Sequence, residues 1–162
     1  MAGLLVSLAV LVALWVSSHL EVDPVLHDVA LFGHLASLVV GFGAVLAVDW
    51  VALLWLLRQR TLADVMVTAG NAHLPIWAGY AGLVITGMFL GPDLSSWLTW
   101  TKLALVILIG WNGVVATSLM TPLSRIVEPA TVSRLCLAAG ASAALSQAGW
   151  WGAMAIGFLN GR

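Results

Sequence analysis

Five long apolar stretches, separated by short polar breaks, constrain this chain more than any other feature. They cover about 3–18, 29–57, 64–90, 97–120 and 133–158, and each approaches the ~20 residues that a helix needs to cross a bilayer. In lipid, a helix satisfies its own backbone hydrogen bonds, whereas an isolated strand does not. We therefore predict an all-α integral membrane protein. Its five-helix bundle has a four-helix core and an additional N-terminal helix, in a single domain over 1–162.

The composition supports the same class and excludes others. Only 8% of residues are charged, against roughly a quarter in soluble domains, so we expect a lipid bilayer around the chain. The net charge of −1 gives no reason to expect nucleic acid as a partner. Cys136 is the one cysteine, which excludes an intramolecular disulfide and any metal site with several cysteines.

Basic residues indicate how the chain is oriented. Arg58, Arg60, Arg125 and Arg134 lie in or beside the second and fourth connections. The positive-inside rule places these connections in the cytoplasm, with the N-terminus inside and the C-terminus outside. The first stretch lacks the positive start of a signal peptide, so we expect a short spanning helix there. The expected location is a bacterial-type inner membrane.

Three polar residues on three different stretches share one predicted depth. At 1.5 Å per residue, Asp49 lies ~12 Å, Asn112 ~14 Å and His73 ~16 Å from the cytoplasmic ends of their helices. Ionisable groups at such depths are costly and are functional candidates by default. Asp49 with His73 is interpreted as a hydrogen-bonded structural pair, a proton relay or a haem-linked acid.

His34 and Lys102 share a second depth, nearer the outer surface. Counted from the outer ends of their helices, they lie ~9 Å and ~8 Å inside. Each also has an ordinary explanation. A neutral histidine can hydrogen-bond a carbonyl, and a lysine near a helix end can extend its amine to the interface.

Small and aromatic residues accompany both histidines. His73, Trp77, Tyr80 and Gly87 fall at i, i+4, i+7 and i+14, on one stripe of the third stretch. Gly41 follows His34 by seven residues and returns to the same side of the helix. An apolar slot with these side chains suits a porphyrin, and it also suits ordinary helix packing, which is the more common cause of such a pattern.

The first connection is rich in possible metal ligands, although no spacing among them is diagnostic. A solvated acidic loop is the simpler interpretation. The residues concerned are His19, Glu21, Asp23, His27 and Asp28.

Three segments together resemble the HemJ-type protoporphyrinogen oxidases and the related copper-resistance-D-like membrane proteins. They are GHLASLVVGFG at 33–43, HLPIWAGY at 73–80 followed by Thr86-Gly87, and WLTWTKLALVILIGWN at 97–112. The resemblance covers roughly residues 27–120. It implies that His34 corresponds to a histidine tied to b-type haem, and that Lys102 corresponds to the functional lysine. A histidine usual soon after that lysine is replaced here by Trp111-Asn112.

With this resemblance, the leading hypothesis is a membrane haem b protein with a redox or electron-transfer role. His34 is the first candidate for the iron ligand and His73 the second. Their predicted depths differ, so either His73 serves a different site or the predicted register is wrong. Any enzymatic activity would be that of a membrane oxidoreductase, with Lys102 and Asp49 as the catalytic candidates.

The remaining site residues would support the cofactor. Lys102 would hold a haem propionate or an anionic substrate by charge. Asn112 would tune the inner site, while Tyr80 and Gly41 would line the slot. Quinone or porphyrin would be the small-molecule partner.

Two other functions stay open. The chain could be an accessory or structural subunit that binds other membrane subunits or further copies of itself, since its nine tryptophans suit helix–helix contacts. A weaker alternative is transport of an ion or copper along the Asp49–His73 layer. Scattered methionines do not favour a Cu(I) site, which needs clustered soft ligands.

Overall fold

The structure is a computed structural model that describes residues 1–123 and 129–160, and the side chains of these residues outside 120–133. The described residues form five α-helices: α1 (Ala2–Ser17), α2 (Pro24–Leu56), α3 (Leu62–Gly87), α4 (Trp97–Leu123) and α5 (Pro129–Asn160). One 3-10 turn, Met88–Leu90, extends α3. The all-α, five-helix prediction is confirmed.

Three of these helices are long and apolar enough to cross a membrane: α2, α3 with its 3-10 turn, and α4 over Trp97–Leu119. α1 is apolar but has only 16 residues. α2 has 33 residues, about 50 Å at the helical rise, and so exceeds a ~30 Å hydrocarbon layer. These three helices indicate that the chain is a membrane protein.

α2 starts five residues before the predicted boundary because the local sequence caps it there. Asp23 accepts hydrogen bonds from the backbone N–H groups of Val25 and Leu26, both at 3.0 Å. Pro24 occupies the first turn, where a missing N–H costs nothing. The polar connection between α1 and α2 is correspondingly shorter than predicted.

The turn between α2 and α3 closes one helix and opens the next. Gln59 N donates to Leu54 O and Arg58 N to Trp55 O, the bond pattern of a Schellman motif. Arg58 takes the left-handed conformation, with φ 61°. Thr61 and Asp64 then form a capping box at the start of α3, which satisfies N–H groups that the helix cannot.

The chain divides into two compact units. One, the α2–α3 unit, comprises Val12–Pro92; the other, the α4–α5 unit, comprises Met1–Leu11 with Asp93–Arg162.

In the α2–α3 unit the two helices are antiparallel and meet backbone to backbone. A methyl group added at Gly79 would lie 2.5 Å from Gly41 N and 2.7 Å from Ser37 O. The buried side chains on both sides of this contact are Ala30, Phe42, Val45, Val65, Ala72 and Tyr80.

In the α4–α5 unit, side chains of α4 fill glycine gaps on α5. A methyl group at Gly149 would lie 2.7 Å from Ile109 Cγ1, and one at Gly152 would lie 3.0 Å from Leu105 Cδ1. The start of α1 also belongs to this unit, where Gly3 lies against the Trp111 ring.

Candidate functional site

His34 is joined to α3 by a short relay of hydrogen bonds. Its Nδ1 lies 2.9 Å from Thr86 Oγ1, and that hydroxyl donates to Gly82 O at 2.6 Å. A carbonyl oxygen only accepts, so the single hydroxyl hydrogen of Thr86 is used on Gly82. Thr86 must therefore accept from His34 Nδ1–H. The relay places the proton of a neutral His34 on Nδ1 and the lone pair on Nε2.

Glycines lie beside the His34 ring and its partner Thr86. Gly87 faces the ring, and a methyl group there would lie 3.7 Å from His34 Cε1. A methyl group at Gly33 would lie 3.1 Å from the Thr86 methyl carbon. The ring is half-buried, and Leu31 and Leu38, three residues before it and four after it, lie on the same face of α2. The His34 site thus combines an oriented imidazole with an apolar surface.

The predicted aromatic stripe on α3 is present as a row of edge-on contacts. The rings of His73 and Trp77 are 6.4 Å apart, and those of Trp77 and Tyr80 are 5.8 Å apart. Tyr80 is buried at 7% exposure, while His73 is exposed. The row therefore leads from the surface of α3 at His73 to the buried Tyr80.

His34 and His73 lie far apart in the α2–α3 unit. Thr86, which is bonded to His34, follows His73 by thirteen residues on α3, a rise of about 20 Å. Two imidazoles that share one iron must both reach it. The structure does not bring these histidines together.

Gly41 and Asp49 lie elsewhere along α2. Gly41 is buried under Gly79, so α3 occupies the space beside it. Asp49 is half-buried and makes at least one interaction with another group. If the antiparallel pairing of Gly41 with Gly79 is continued along both helices, Asp49 comes level with Asn71, two residues from His73. Asp49 and His73 thus lie at similar heights.

Lys102 is on α4, and its side chain lies against α5 near the C-terminal end of that helix. A methyl group at Gly157 would lie 3.5 Å from its Nζ, so the missing side chain makes room for the amine. One turn towards the start of α4, the buried Thr99 accepts a long hydrogen bond of 3.5 Å from Asn160 Nδ2. Among the residues that the structure describes, no carboxylate forms an ion pair with Lys102.

Asn112 is buried and makes two hydrogen bonds to α5. Its Nδ2 donates to Ser142 O, and its Oδ1 accepts from Ser142 Oγ, both at 2.9 Å. The amide joins α4 to α5 within their unit. Sequence reasoning missed Ser142, since one serine in an apolar stretch carries no signal of its partner.

The acidic first connection divides among local roles. Asp23 caps α2, and His19 Nδ1 lies 2.8 Å from Trp15 O. The His27 ring is 3.7 Å from Asp28. In the part of the chain that the structure describes, no three His, Cys, Asp or Glu side chains gather as metal ligands would.

No family model, curated protein or solved structure matches this chain.

Proposed function

We propose that this chain is an integral membrane protein that binds haem b through His34 and takes part in electron transfer. The observation that carries the proposal is the relay from His34 Nδ1 through Thr86 to Gly82. Histidines that ligate metals commonly donate their other ring N–H to a fixed acceptor, which sets the tautomer and the ring orientation. His34 has this arrangement, with the Nε2 lone pair as the ligand atom.

The surroundings of His34 fit a porphyrin. The macrocycle is flat and apolar, and Leu31 and Leu38 are apolar side chains on the same face of α2 as the ring. Gly33 and Gly87 hold the backbone close without adding bulk. When bound, haem would supply one-electron redox chemistry. The chain would contribute the ligand and its orientation.

The separation of His34 from His73 limits how many histidines can ligate one iron. Because His73 lies about 20 Å along α3 from the partner of His34, the helix pair would offer one histidine to the iron. A quinone or another membrane protein would exchange the electrons. Arg58 and Arg60, in the turn after α2, support the proposal that this turn faces the cytoplasm of a bacterial-type inner membrane.

The experiment is a reduced-minus-oxidised visible spectrum of the full chain, purified in detergent after expression with a haem supply. We expect a Soret band that His34→Ala abolishes and that His73→Ala, the matched control, leaves unchanged. Thr86→Val keeps the shape and removes the acceptor. It should retain haem and raise the midpoint potential, because the imidazole becomes a weaker donor. A colourless wild-type protein, or equal haem in the His34→Ala variant, would contradict the proposal.

One observation favours a second candidate, an accessory subunit of a larger membrane assembly. His73 is exposed midway along α3, where an ionisable side chain facing lipid is costly. A neighbouring subunit would cover it. This function predicts a colourless protein that co-purifies with other membrane subunits, and substitution of His73 rather than His34 would release them.

A further inference from the structure

A continuous row of exposed residues follows one side of α3. The spacing along the helix is 4, 3, 4, 3 and 4 residues, the repeat of a helix that packs along another helix. We call these residues the α3 seam: Val67, Asn71, Leu74, Ala78, Ala81 and Ile85, all of them exposed. The side of α3 that packs on α2 carries other residues, including Ala72 and Gly79.

Asn71 is the one polar side chain in this seam. It lies nine residues into α3, about 14 Å from the start of the helix. Among the described residues its amide has no hydrogen-bond partner. The hydrocarbon layer offers no water to replace one, so an amide facing lipid there leaves two donors and an acceptor unsatisfied.

Pro75 removes a helical hydrogen bond at the same place. Proline lies inside α3 and has no N–H, so the carbonyl of the residue four before it loses its helical donor. That residue is Asn71. The backbone carbonyl of Asn71 thus loses its usual donor at the depth of its side-chain amide, while a methyl group added at the adjacent Gly70 would meet nothing within 4 Å.

We infer that the α3 seam is a dimer interface, in which α3 of a second copy packs in parallel around Asn71. A two-fold axis along the membrane normal places each residue opposite its own copy at equal depth. An amide is both donor and acceptor, so two Asn71 side chains complete each other's hydrogen bonds. An unrelated partner would need a matching group at this depth, whereas a second copy always has one.

The other residues of the α3 seam also suit packing against α3 of a second copy. It contains no charged residue, so nothing repels on self-association. Ala78 and Ala81 let two helices approach closely, as small residues do in membrane helix pairs. A single asparagine in such a repeat also selects one register and one oligomeric state. The interface therefore specifies a parallel dimer.

The test is disulfide cross-linking of the full chain in lipid bilayers, in a Cys136→Ser background. Ala78→Cys lies on the seam, and His73→Cys, exposed on another side of α3, is the matched control. Oxidation should link the seam variant as a dimer and leave the control monomeric. Equal linking of both, or none at the seam, would overturn the inference.

A second measurement gives the role of Asn71. Sedimentation equilibrium in detergent should show a monomer–dimer equilibrium that Asn71→Leu weakens about tenfold, as expected for loss of interhelical hydrogen bonds. His73→Ala should leave the equilibrium unchanged, and circular dichroism should show the same helicity in all variants. A wild-type protein that stays monomeric at every protein-to-detergent ratio would refute the dimer.

Discussion

The α2–α3 pair and the α4–α5 pair solve the same packing problem in different ways. In the first, the backbones of Gly41 and Gly79 touch, and no side chain separates them. In the second, Ile109 and Leu105 lie over glycines of α5, and a buried amide joins the helices through Ser142. Backbone contacts cannot adjust, whereas side chains can. The α2–α3 contact should therefore not tolerate an added side chain, whereas the α4–α5 contact should adjust to one.

Gly79→Ala should give the largest effect. Its new methyl group would meet the backbone atoms Gly41 N and Ser37 O at 2.5 and 2.7 Å, and these cannot turn away. We expect a loss of about 3 kcal/mol in the free energy of unfolding, at the upper end of overpacking effects. Denaturant titration of the full chain in micelles measures it.

Gly43→Ala is the control for that substitution, since a methyl group there meets nothing within 4 Å. It should leave stability nearly unchanged. If the Gly79→Ala and Gly43→Ala variants have the same free energy of unfolding, the backbone contact does not determine the stability of the α2–α3 pair.

Asn112 should give the next largest effect. Asn112→Ala removes both hydrogen bonds to Ser142, and we expect a loss of about 1–2 kcal/mol. Ser142→Ala keeps the backbone carbonyl that accepts from Asn112 Nδ2, so combining the two substitutions isolates the bond from Ser142 Oγ to Asn112 Oδ1. That bond should contribute about 1 kcal/mol, as expected between helices of a membrane protein. Additive single effects would mean that the Ser142 hydroxyl does not contribute to this contact.

The glycines of α5 should form a graded series. The distance from the added methyl group to the nearest atom grows from 2.7 Å at Gly149 to 3.0 Å at Gly152 and 3.5 Å at Gly157. The neighbours are side chains, so Gly149→Ala should cost about 1 kcal/mol. Gly157→Ala should cost almost nothing. A cost at Gly149 as large as that at Gly79 would remove the contrast between the pairs.

The turn before α4 should give the smallest effect and one that depends on pH. Hydrogen bonds from the Ser95 hydroxyl and then its backbone N–H lower the pKa of Asp93 below 3.8. A lowered pKa stabilises the fold above the ordinary value, and this stabilisation is lost as pH falls through the lowered one. Asp93→Ala should lack that acid-dependent part in unfolding curves. Since the carboxylate is exposed, the change should be slight, and identical acid curves would contradict the prediction.

Local rules account for most of the fold. Apolar length predicted five helices, and the spacing of His73, Trp77 and Tyr80 predicted their row of contacts, because both depend on the geometry of one helix. The apolar pattern predicts that α2 begins at residue 29, because polar residues precede that position and indicate a loop. Asp23 and Pro24, a capping residue followed by a first-turn proline, carried the correct signal.

The sites depended on contacts between helices. The pairing of His34 with Thr86, that of Asn112 with Ser142 and the position of Lys102 against Gly157 each depend on how one helix is shifted along its neighbour. No pattern within a single stretch carries that shift. The assignment of Asn112 to a cofactor site remains a prediction, and its amide is occupied by Ser142 in the structure.

The sequence by itself determined that the chain is helical and that several helices suit lipid, because hydrophobicity and backbone hydrogen bonding act within one segment. Only the tertiary structure decided which glycines bring backbones together and which nitrogen of His34 carries the proton. It also decided that the Asn71 amide has no hydrogen-bond partner among the described residues. These depend on atoms from separate helices meeting at one depth, and only packing sets that depth.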